Sequence, residues 1–179
     1  ITVKVSNTIK YTPFGTKSFC YGESVSIRDT VNRLLRHNDN VIAKSGLKYN
    51  VYLLNGDSRG IEITQNVKSS KSRHESDTTR YLINIYDEVS GCEKRDTATI
   101  IFHALPDAKV VEKIEACQDV AITLPTPTNQ EFNYVWKRSA GDKIEGVPTL
   151  LALSADETIT LTEENKLTGC QDTFEVKVT

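Results

Sequence analysis

The sequence lacks several features that would indicate particular functions. It contains no methionine and one tryptophan, and no apolar run approaches the ~18 residues that a membrane-spanning helix needs. No two cysteines are close enough for a Cys-x-x-Cys zinc knuckle, and neither a glycine-rich phosphate loop nor a Gly-x-Ser-x-Gly motif occurs. The net charge is only -2. We therefore predict no catalytic residues, no membrane insertion and no nucleic-acid partner.

A four-residue motif occurs twice among the 179 residues, as Val89-Ser90-Gly91-Cys92 and as Leu167-Thr168-Gly169-Cys170. An Asp-Thr pair and a strand-like run follow each copy. Because the chain is long enough for two small domains, the repeat predicts domains at 1–104 and 105–179. The proline at 106 would interrupt strand pairing at this boundary.

The first residues, 1–6, alternate apolar and polar side chains and resemble the last six, 174–179. Residues 1–6 are therefore either the first strand of domain one or the last strand of a preceding repeat. Since the chain also begins without methionine, we expect it to be a piece of a longer protein.

Four cysteines allow three pairings, and the repeat favours one of them. Each predicted domain has an early cysteine and a late one, which gives the pairs Cys20–Cys92 and Cys117–Cys170. Each disulfide would stabilise its domain by roughly 4 kcal/mol in the chain-entropy model. Such bonds predict an oxidising, extracellular or periplasmic location.

Short alternating segments with turn residues between them predict an all-β protein of two immunoglobulin-like sandwiches. The first domain also contains a helix at about 29–37, with Asp29 or Thr30 as its cap and Val31 and Leu35 on its apolar face. An alternating strand is expected at 23–28, just after Cys20. Tyr52 and Trp136 are predicted to occupy matching core positions in the two central strands.

Three features together resemble a known family: the segment Cys20-Tyr21-Gly22-Glu23-Ser24-Val25, an aromatic central strand, and Gly-Cys followed by Asp-Thr. The chain is similar to the Ig-like and PKD-like repeats of Bacteroidota surface proteins, including SprB-type gliding-motility adhesins exported by the type nine secretion system. The resemblance implies a non-enzymatic, cell-surface repeat array that acts as a stalk or spacer, or is itself adhesive. Its partners would be neighbouring repeats and a surface glycan or protein.

Two other functional classes stay open. The chain could be a carbohydrate-binding or accessory module of a secreted polysaccharide-degrading enzyme, or an interaction domain of an envelope machine. Further copies of the Gly-Cys motif in the flanking sequence would favour the stalk, whereas a neighbouring hydrolase domain would favour the module.

Few residues are candidates for ligand contact. Tyr11 and Phe14 could stack on sugar rings, although such aromatics more often close the end of a sandwich core. Lys71 and Arg73 lie in a basic loop that could contact an acidic glycan. No cofactor is expected, although calcium could be held by the turn aspartates, which are Asp39, Asp57 and Asp142.

Overall fold

A computed structural model describes residue 9 and residues 12–37, 47–144 and 150–179. The chain divides into two compact units, Ile1–His103 and Ala104–Thr179, which we call unit 1 and unit 2. Strands dominate both units. Residues 1–6, for which we predict a strand, lie outside the described residues.

Unit 1 is built on one five-stranded sheet with the order β1-β5-β4-β2-β3. Its elements are β1 Gly15–Cys20, α1 Ile27–His37, β2 Leu47–Asn55, β3 Ser58–Glu62, β4 Asp77–Asp87 and β5 Glu93–His103. The first strand, β1, runs parallel to the last, β5, while the other pairs are antiparallel. Alternate residues of β4 and β5 are buried, because one face of the sheet covers the core, whereas the two buried residues of β2, Val51 and Tyr52, are adjacent.

Helix α1 covers part of the core of unit 1. Ser26 caps it: its Oγ accepts a hydrogen bond from the Asp29 amide at 3.1 Å, and its carbonyl accepts one from the Thr30 amide at 3.2 Å. The predicted helix is therefore present but begins two residues earlier, and the predicted strand at 23–28 is wrong. Val25 makes only an isolated bridge to Val67. Each buried apolar side chain of α1 stabilises the fold by about 1.5–3 kcal/mol, and three are buried: Ile27, Val31 and Leu35.

Unit 2 repeats the sheet order of unit 1 with shorter strands. The order is β6-β12-β11-β8-β9, and a separate pair is formed by β7 and β10. Its strands are β6 Lys113–Ile114, β7 Ile122–Thr123, β8 Phe132–Lys137, β9 Lys143–Ile144, β10 Leu150–Leu151, β11 Glu157–Asn165 and β12 Gln171–Val178. Again the first strand, β6, is parallel to the last, β12. The predicted all-β class is confirmed: each unit is built on a five-stranded sheet, which α1 partly covers in unit 1 and which the β7–β10 pair accompanies in unit 2.

The central tryptophan and tyrosine do not occupy matching positions. Trp136 lies opposite Leu161 in the core of unit 2, and the residue in the corresponding place of unit 1 is Val51, opposite Ile83. Tyr52 is one residue further on and is also buried, but it does not belong to the cluster around Val51, and the Arg59 guanidinium covers its ring at 3.5 Å from the centroid. The prediction is wrong by one residue, which in a strand reverses the face.

Candidate functional site at the cysteine-bearing ends of the units

The two Gly-Cys motifs form the same six-residue turn, Asp87–Cys92 in unit 1 and Asn165–Cys170 in unit 2. In both turns the amide of the first residue, Asp87 or Asn165, donates a hydrogen bond to the cysteine carbonyl at 2.9 Å. The carbonyl of the same residue accepts a hydrogen bond from the glycine amide at 2.8 Å. Its side-chain Oδ1 accepts the amide two residues on, also at 2.9 Å. These shared hydrogen bonds identify one structural part used twice.

Glycine and a hydroxyl residue complete the turn. Gly91 and Gly169 have φ of +71° and +72°, a left-handed conformation that glycine adopts without a Cβ clash. The hydroxyl oxygens of Ser90 and Thr168 accept the amide of the following cysteine at 3.3 and 3.2 Å.

Each Gly-Cys turn also carries one strongly exposed apolar side chain three residues before its cysteine. Val89 is 82% exposed and Leu167 is 93% exposed. The turn geometry does not require an apolar residue here, since only its amide is used. This repeated exposure is the feature of the turn that packing does not explain.

The early cysteines begin a second shared turn. The Cys20 carbonyl accepts the Glu23 amide at 3.1 Å, and the Cys117 carbonyl accepts the Val120 amide at 3.2 Å. Two residues after each early cysteine the backbone is left-handed, at Gly22 with φ of +90° and at Asp119 with φ of +58°. Sequence comparison missed this likeness because the second copy uses aspartate, a residue that tolerates the same conformation.

The predicted pairs Cys20–Cys92 and Cys117–Cys170 are both wrong. Cys20 and Cys170 are disulfide-bonded, whereas Cys92 and Cys117 carry thiols.

The parallel first strands explain this result. In unit 1, Cys20 lies beside His103, the last residue of β5. Cys92 directly precedes Glu93, the first residue of the same strand. Eleven strand residues at about 3.3 Å each place them roughly 36 Å apart, whereas disulfide Cα atoms lie within about 7 Å.

The same arithmetic applies to unit 2. The Ala116 amide donates to Thr179 O at 2.8 Å, so that Cys117 lies beyond the end of β12. Cys170 directly precedes that strand, eight residues or roughly 26 Å away.

A cavity of about 200 Å³ adjoins Cys117 in unit 2. Its lining combines apolar Leu153, Ala155 and Val178 with polar residues such as Gln118 and Asp156. Cys117 is exposed, whereas Cys92 is half-buried against the core of unit 1.

A buried carboxyl is the second unusual feature of unit 2. Glu163 is 4% exposed and lies opposite Tyr134 across β11 and β8, in the place that Ile85 occupies opposite Tyr49 in unit 1. The Tyr134 hydroxyl hydrogen-bonds this carboxyl, while Oε2 of Glu163 has no hydrogen-bond partner among the described residues.

The pKa values of both groups are displaced by this burial. Burial raises the pKa of Glu163 and outweighs the hydrogen bond from Tyr134, and the charges of Asp107 and Asp172 raise it further. The pKa of Tyr134 is raised to about 12 by burial and by the Glu163 carboxyl. Ile159, Leu161 and Glu163 lie on one face of β11, because alternate residues of a strand point the same way. This two-residue spacing could have assigned Glu163 to the core from the sequence.

The candidate ligand contacts are not brought together as one surface. Phe14 is buried in the core of unit 1, so that it does not offer a face for sugar stacking, and Tyr11 lies outside the described residues. Lys71 and Arg73 are exposed in the loop before β4. Asp77 fixes this loop, because its Oδ2 accepts hydrogen bonds from the amide and hydroxyl of Ser70 at 2.7 and 3.0 Å.

Calcium at the turn aspartates stays a prediction. Asp39 lies outside the described residues, while Asp57 and Asp142 lie in separate turns of different units. Within residues 12–37, 47–144 and 150–179, no three histidine, cysteine, aspartate or glutamate side chains are grouped to hold a metal ion. In the same part of the chain, no helix is long and apolar enough to cross a membrane.

Comparisons with known proteins yield structural likeness only. No protein-family model and no curated protein matches the chain. The chain is similar to the N-terminal four Ig domains of Dscam1 isoform 7.44, with 8% identity and a TM-score of 0.32 over 98% of this chain and 52% of that one. It thus spans about half the length of that structure. It is also similar to fibronectin(III)-like modules of Clostridium thermocellum CbhA, with 9% identity and a TM-score of 0.35 over 93% and 90% of the two chains.

Proposed function

We propose that the chain is a non-enzymatic spacer of a repeat-built extracellular surface protein, of the kind represented by the SprB-type adhesins that its motifs resemble. Ig-like units with a disulfide fit an extracellular module, since disulfides persist in oxidising surroundings. The observation that carries the proposal is the parallel pairing of first and last strands in both units.

This pairing determines where the chain enters and leaves each unit. β1 begins beside Ala98 of β5 and ends beside His103, the residue at which unit 1 ends. The chain therefore runs through the unit in one net direction, and unit 2 has the same arrangement. Units of this kind can be repeated in series without reversing the chain, as a spacer requires.

Parallel pairing also determines how each unit would resist tension. Pulling the start of β1 away from the end of β5 slides the two strands past each other, so that their hydrogen bonds are loaded together in shear. Six residue pairs connect β1 to β5, from Gly15↔Ala98 to Cys20↔His103. Such a ladder suits a domain that transmits force between a surface and a distant tip.

The carbohydrate-binding alternative has less support. Its aromatic candidate Phe14 is buried, and Phe19 packs on Phe102 with ring centroids 5.8 Å apart. Phe14 belongs to the core of unit 1, and Phe19 packs against that core. We therefore do not propose glycan binding as the main function.

Single-molecule stretching of the whole chain under reducing conditions tests the proposal. We expect two separate unfolding steps that lengthen the chain by roughly 30 nm for unit 1 and roughly 20 nm for unit 2, from the lengths of their extended segments. Unit 1 should require the higher force. Unfolding of both units at forces too low to resolve would contradict a force-bearing role, and hydrolysis of a polysaccharide by the chain would contradict the non-enzymatic one.

A further inference from the structure

We propose that Asp96 and Lys94 clamp the chain that enters unit 1 onto β5, and that this clamp has to break, together with the β1–β5 ladder, before tension can unfold the unit. We call these two side chains and the backbone groups they bind, the Phe14 amide and the Ile9 carbonyl, the entry clamp. The proposal rests on the spacer function above, because it concerns how the same parallel ladder carries a load.

The first argument is the position of the two charged residues in β5. Lys94 and Asp96 are half-buried and alternate with Ala98, Ile100 and Phe102, which are all buried, so that the five residues share the core-facing side of the strand. A charged group removed from water is costly unless it is hydrogen-bonded. The partners of these two residues are backbone groups of the chain that leads into β1.

The Asp96 carboxylate binds the residue directly before the ladder. Its Oδ2 accepts a hydrogen bond from the Phe14 amide at 2.8 Å, and the next residue, Gly15, begins the ladder opposite Ala98. Its Oδ1 accepts a hydrogen bond from the Thr97 amide, also at 2.8 Å, which fixes the orientation of the carboxylate. The side chain therefore adds one bond between the entering chain and β5 beyond the six residue pairs of the ladder.

Lys94 adds a second and longer contact further back along the chain. Its Nζ donates to the Ile9 carbonyl at 3.5 Å, and the side chains of Ile9 and Phe14 are both buried in the core of unit 1. Hydrogen bonds with an ionised partner are roughly twice as strong as neutral ones and strongest when short. We therefore assign most of the clamp to Asp96.

The entry clamp lies at the end of the ladder where tension would arrive. Because β1 and β5 are parallel, force applied to the start of β1 and to the end of β5 shears the two strands, and it reaches Phe14 before Gly15. At the other end, the Tyr21 amide donates to His103 O at 2.9 Å. The bonds of Phe14 and Tyr21 thus extend the ladder by one contact on each side.

Unit 2 has a different residue at the place of the clamp. Asp96 lies opposite Ile83, and the residue opposite Leu161, which corresponds to Ile83, is Phe174. A phenylalanine side chain cannot accept a hydrogen bond from a backbone amide in this way. The Asp-Thr pair of unit 2 begins two residues earlier in the strand, at Asp172, so that the two pairs are alike in sequence but not in position.

Constant-force stretching of the whole chain, held at its first and last residues under reducing conditions, tests the proposal. In Asp96→Ala we expect the lifetime of unit 1 at a fixed force to fall about tenfold, as a loss of ~1.4 kcal/mol from the unfolding barrier would give. Asp96→Asn keeps an oxygen acceptor but loses the charge, and should have an intermediate lifetime. The lifetime of unit 2 is the internal reference and should not change.

Asp77→Ala is the matched control. Asp77 is also a buried carboxylate of unit 1, and its Oδ2 accepts a hydrogen bond from the Ser70 amide at 2.7 Å, but it fastens the loop before β4 rather than the entering chain. We expect Asp77→Ala to lower the stability of unit 1 in denaturant while its lifetime under force stays close to the wild-type value. If Asp96 had only a general structural role, the two variants would behave alike in both measurements.

A lifetime of unit 1 in Asp96→Ala equal to that of the wild type, or equal to that of Asp77→Ala, would contradict the entry clamp. If an alanine variant does not fold, Asp96→Asn and Asp77→Asn make the same comparison. Should the wild-type unit 1 itself unfold at forces too low to resolve, the spacer function fails and the clamp fails with it. A force-resistant unit 1 whose lifetime is unchanged in Asp96→Ala contradicts the clamp alone.

Discussion

Units 1 and 2 have the same sheet order but differ in the ladder that joins their first and last strands. Six residue pairs connect β1 to β5 in unit 1, whereas two connect β6 to β12 in unit 2. Because this ladder is what tension would load in shear, the two units should differ in mechanical strength even though they share a fold. A repeated topology therefore does not imply repeated mechanics.

The core positions opposite the central tyrosines show a second difference. In unit 1 the Tyr49 hydroxyl donates to the Arg28 carbonyl of α1 at 3.1 Å, and the residue opposite is Ile85. In unit 2 the tyrosine hydroxyl is paired with Glu163 instead. The inserted helix thus supplies a partner in one unit, and a buried carboxyl supplies it in the other.

Ile85→Glu in unit 1 is expected to have the largest effect. The new carboxyl would occupy the place of Glu163 in unit 2 but would have no hydroxyl to donate to it, because the Tyr49 hydroxyl already donates to the Arg28 carbonyl. An unpaired buried charge costs about 3–5 kcal/mol. Calorimetry of the whole chain should show a large decrease in the stability of unit 1 in Ile85→Glu. Ile85→Val should lower that stability by only about 1 kcal/mol. Near-equal losses would contradict our account of this position.

Removal of the tyrosine hydroxyls should affect the two units unequally. Tyr134→Phe removes one of the two donors to the buried Glu163 carboxyl, the other being the Ala108 backbone, and should cost about 1–3 kcal/mol, whereas Tyr49→Phe loses one hydrogen bond to a carbonyl and should cost about 1 kcal/mol. Denaturant unfolding of the two variants measures the difference. An equal loss would mean that the Glu163 pair contributes no more than an ordinary hydrogen bond.

The stability of unit 2 should fall as the pH rises, and that of unit 1 should not fall for this reason. Glu163 has a raised pKa in the folded state, so that its contribution is fully present below the unfolded pKa and is lost as the pH rises through the folded one. Thermal unfolding between acid and neutral pH should show this trend, and Glu163→Gln should abolish it. A wild-type profile identical to that of Glu163→Gln would contradict the assignment.

The glycines of the two Gly-Cys turns should have equal and small effects. No atom lies within 4 Å of a Cβ built at Gly91 or Gly169, and both have positive φ. The cost of Gly91→Ala or Gly169→Ala is therefore conformational only, about 1 kcal/mol in each unit. Denaturant unfolding of the two variants, measured under the same conditions, checks whether the two losses of stability are equal. A markedly larger loss in one unit would show that the turns are not equivalent.

Sequence patterns predicted the all-β class, the inserted helix and the repeated Gly-Cys turn, because alternation and turn residues are local signals. They did not predict β1, since Gly15–Cys20 is largely exposed and has no apolar alternation. The expected strand was instead placed after Cys20. This displacement hid the parallel pairing, which separates the early from the late cysteine of a unit, so that nothing opposed the pairs taken from the repeat.

The candidate site was predictable only in part. The likeness of Asp119 to Gly22 depends on backbone conformation rather than residue type. Whether Trp136 corresponds to Val51 or to Tyr52 depends on which face of the strand each side chain occupies. A similarity between the two segments does not determine that face. Glu163, however, follows Leu161 by two residues and could have been assigned to the core.

The most direct test of the central claim is to break the ladder of unit 1 and stretch the chain again. The Tyr21 amide donates to His103 O at 2.9 Å, and the alternation of a parallel ladder turns the Lys17 amide toward β5 as well. Lys17→Pro removes this donor, whereas Lys17→Ala keeps it.

We predict that the unfolding force of unit 1 falls to the level of unit 2 in Lys17→Pro and is unchanged in Lys17→Ala, with unit 2 unaffected in both. An unfolding force of unit 1 that stayed at the wild-type value in Lys17→Pro would contradict the claim that the parallel ladder bears the load.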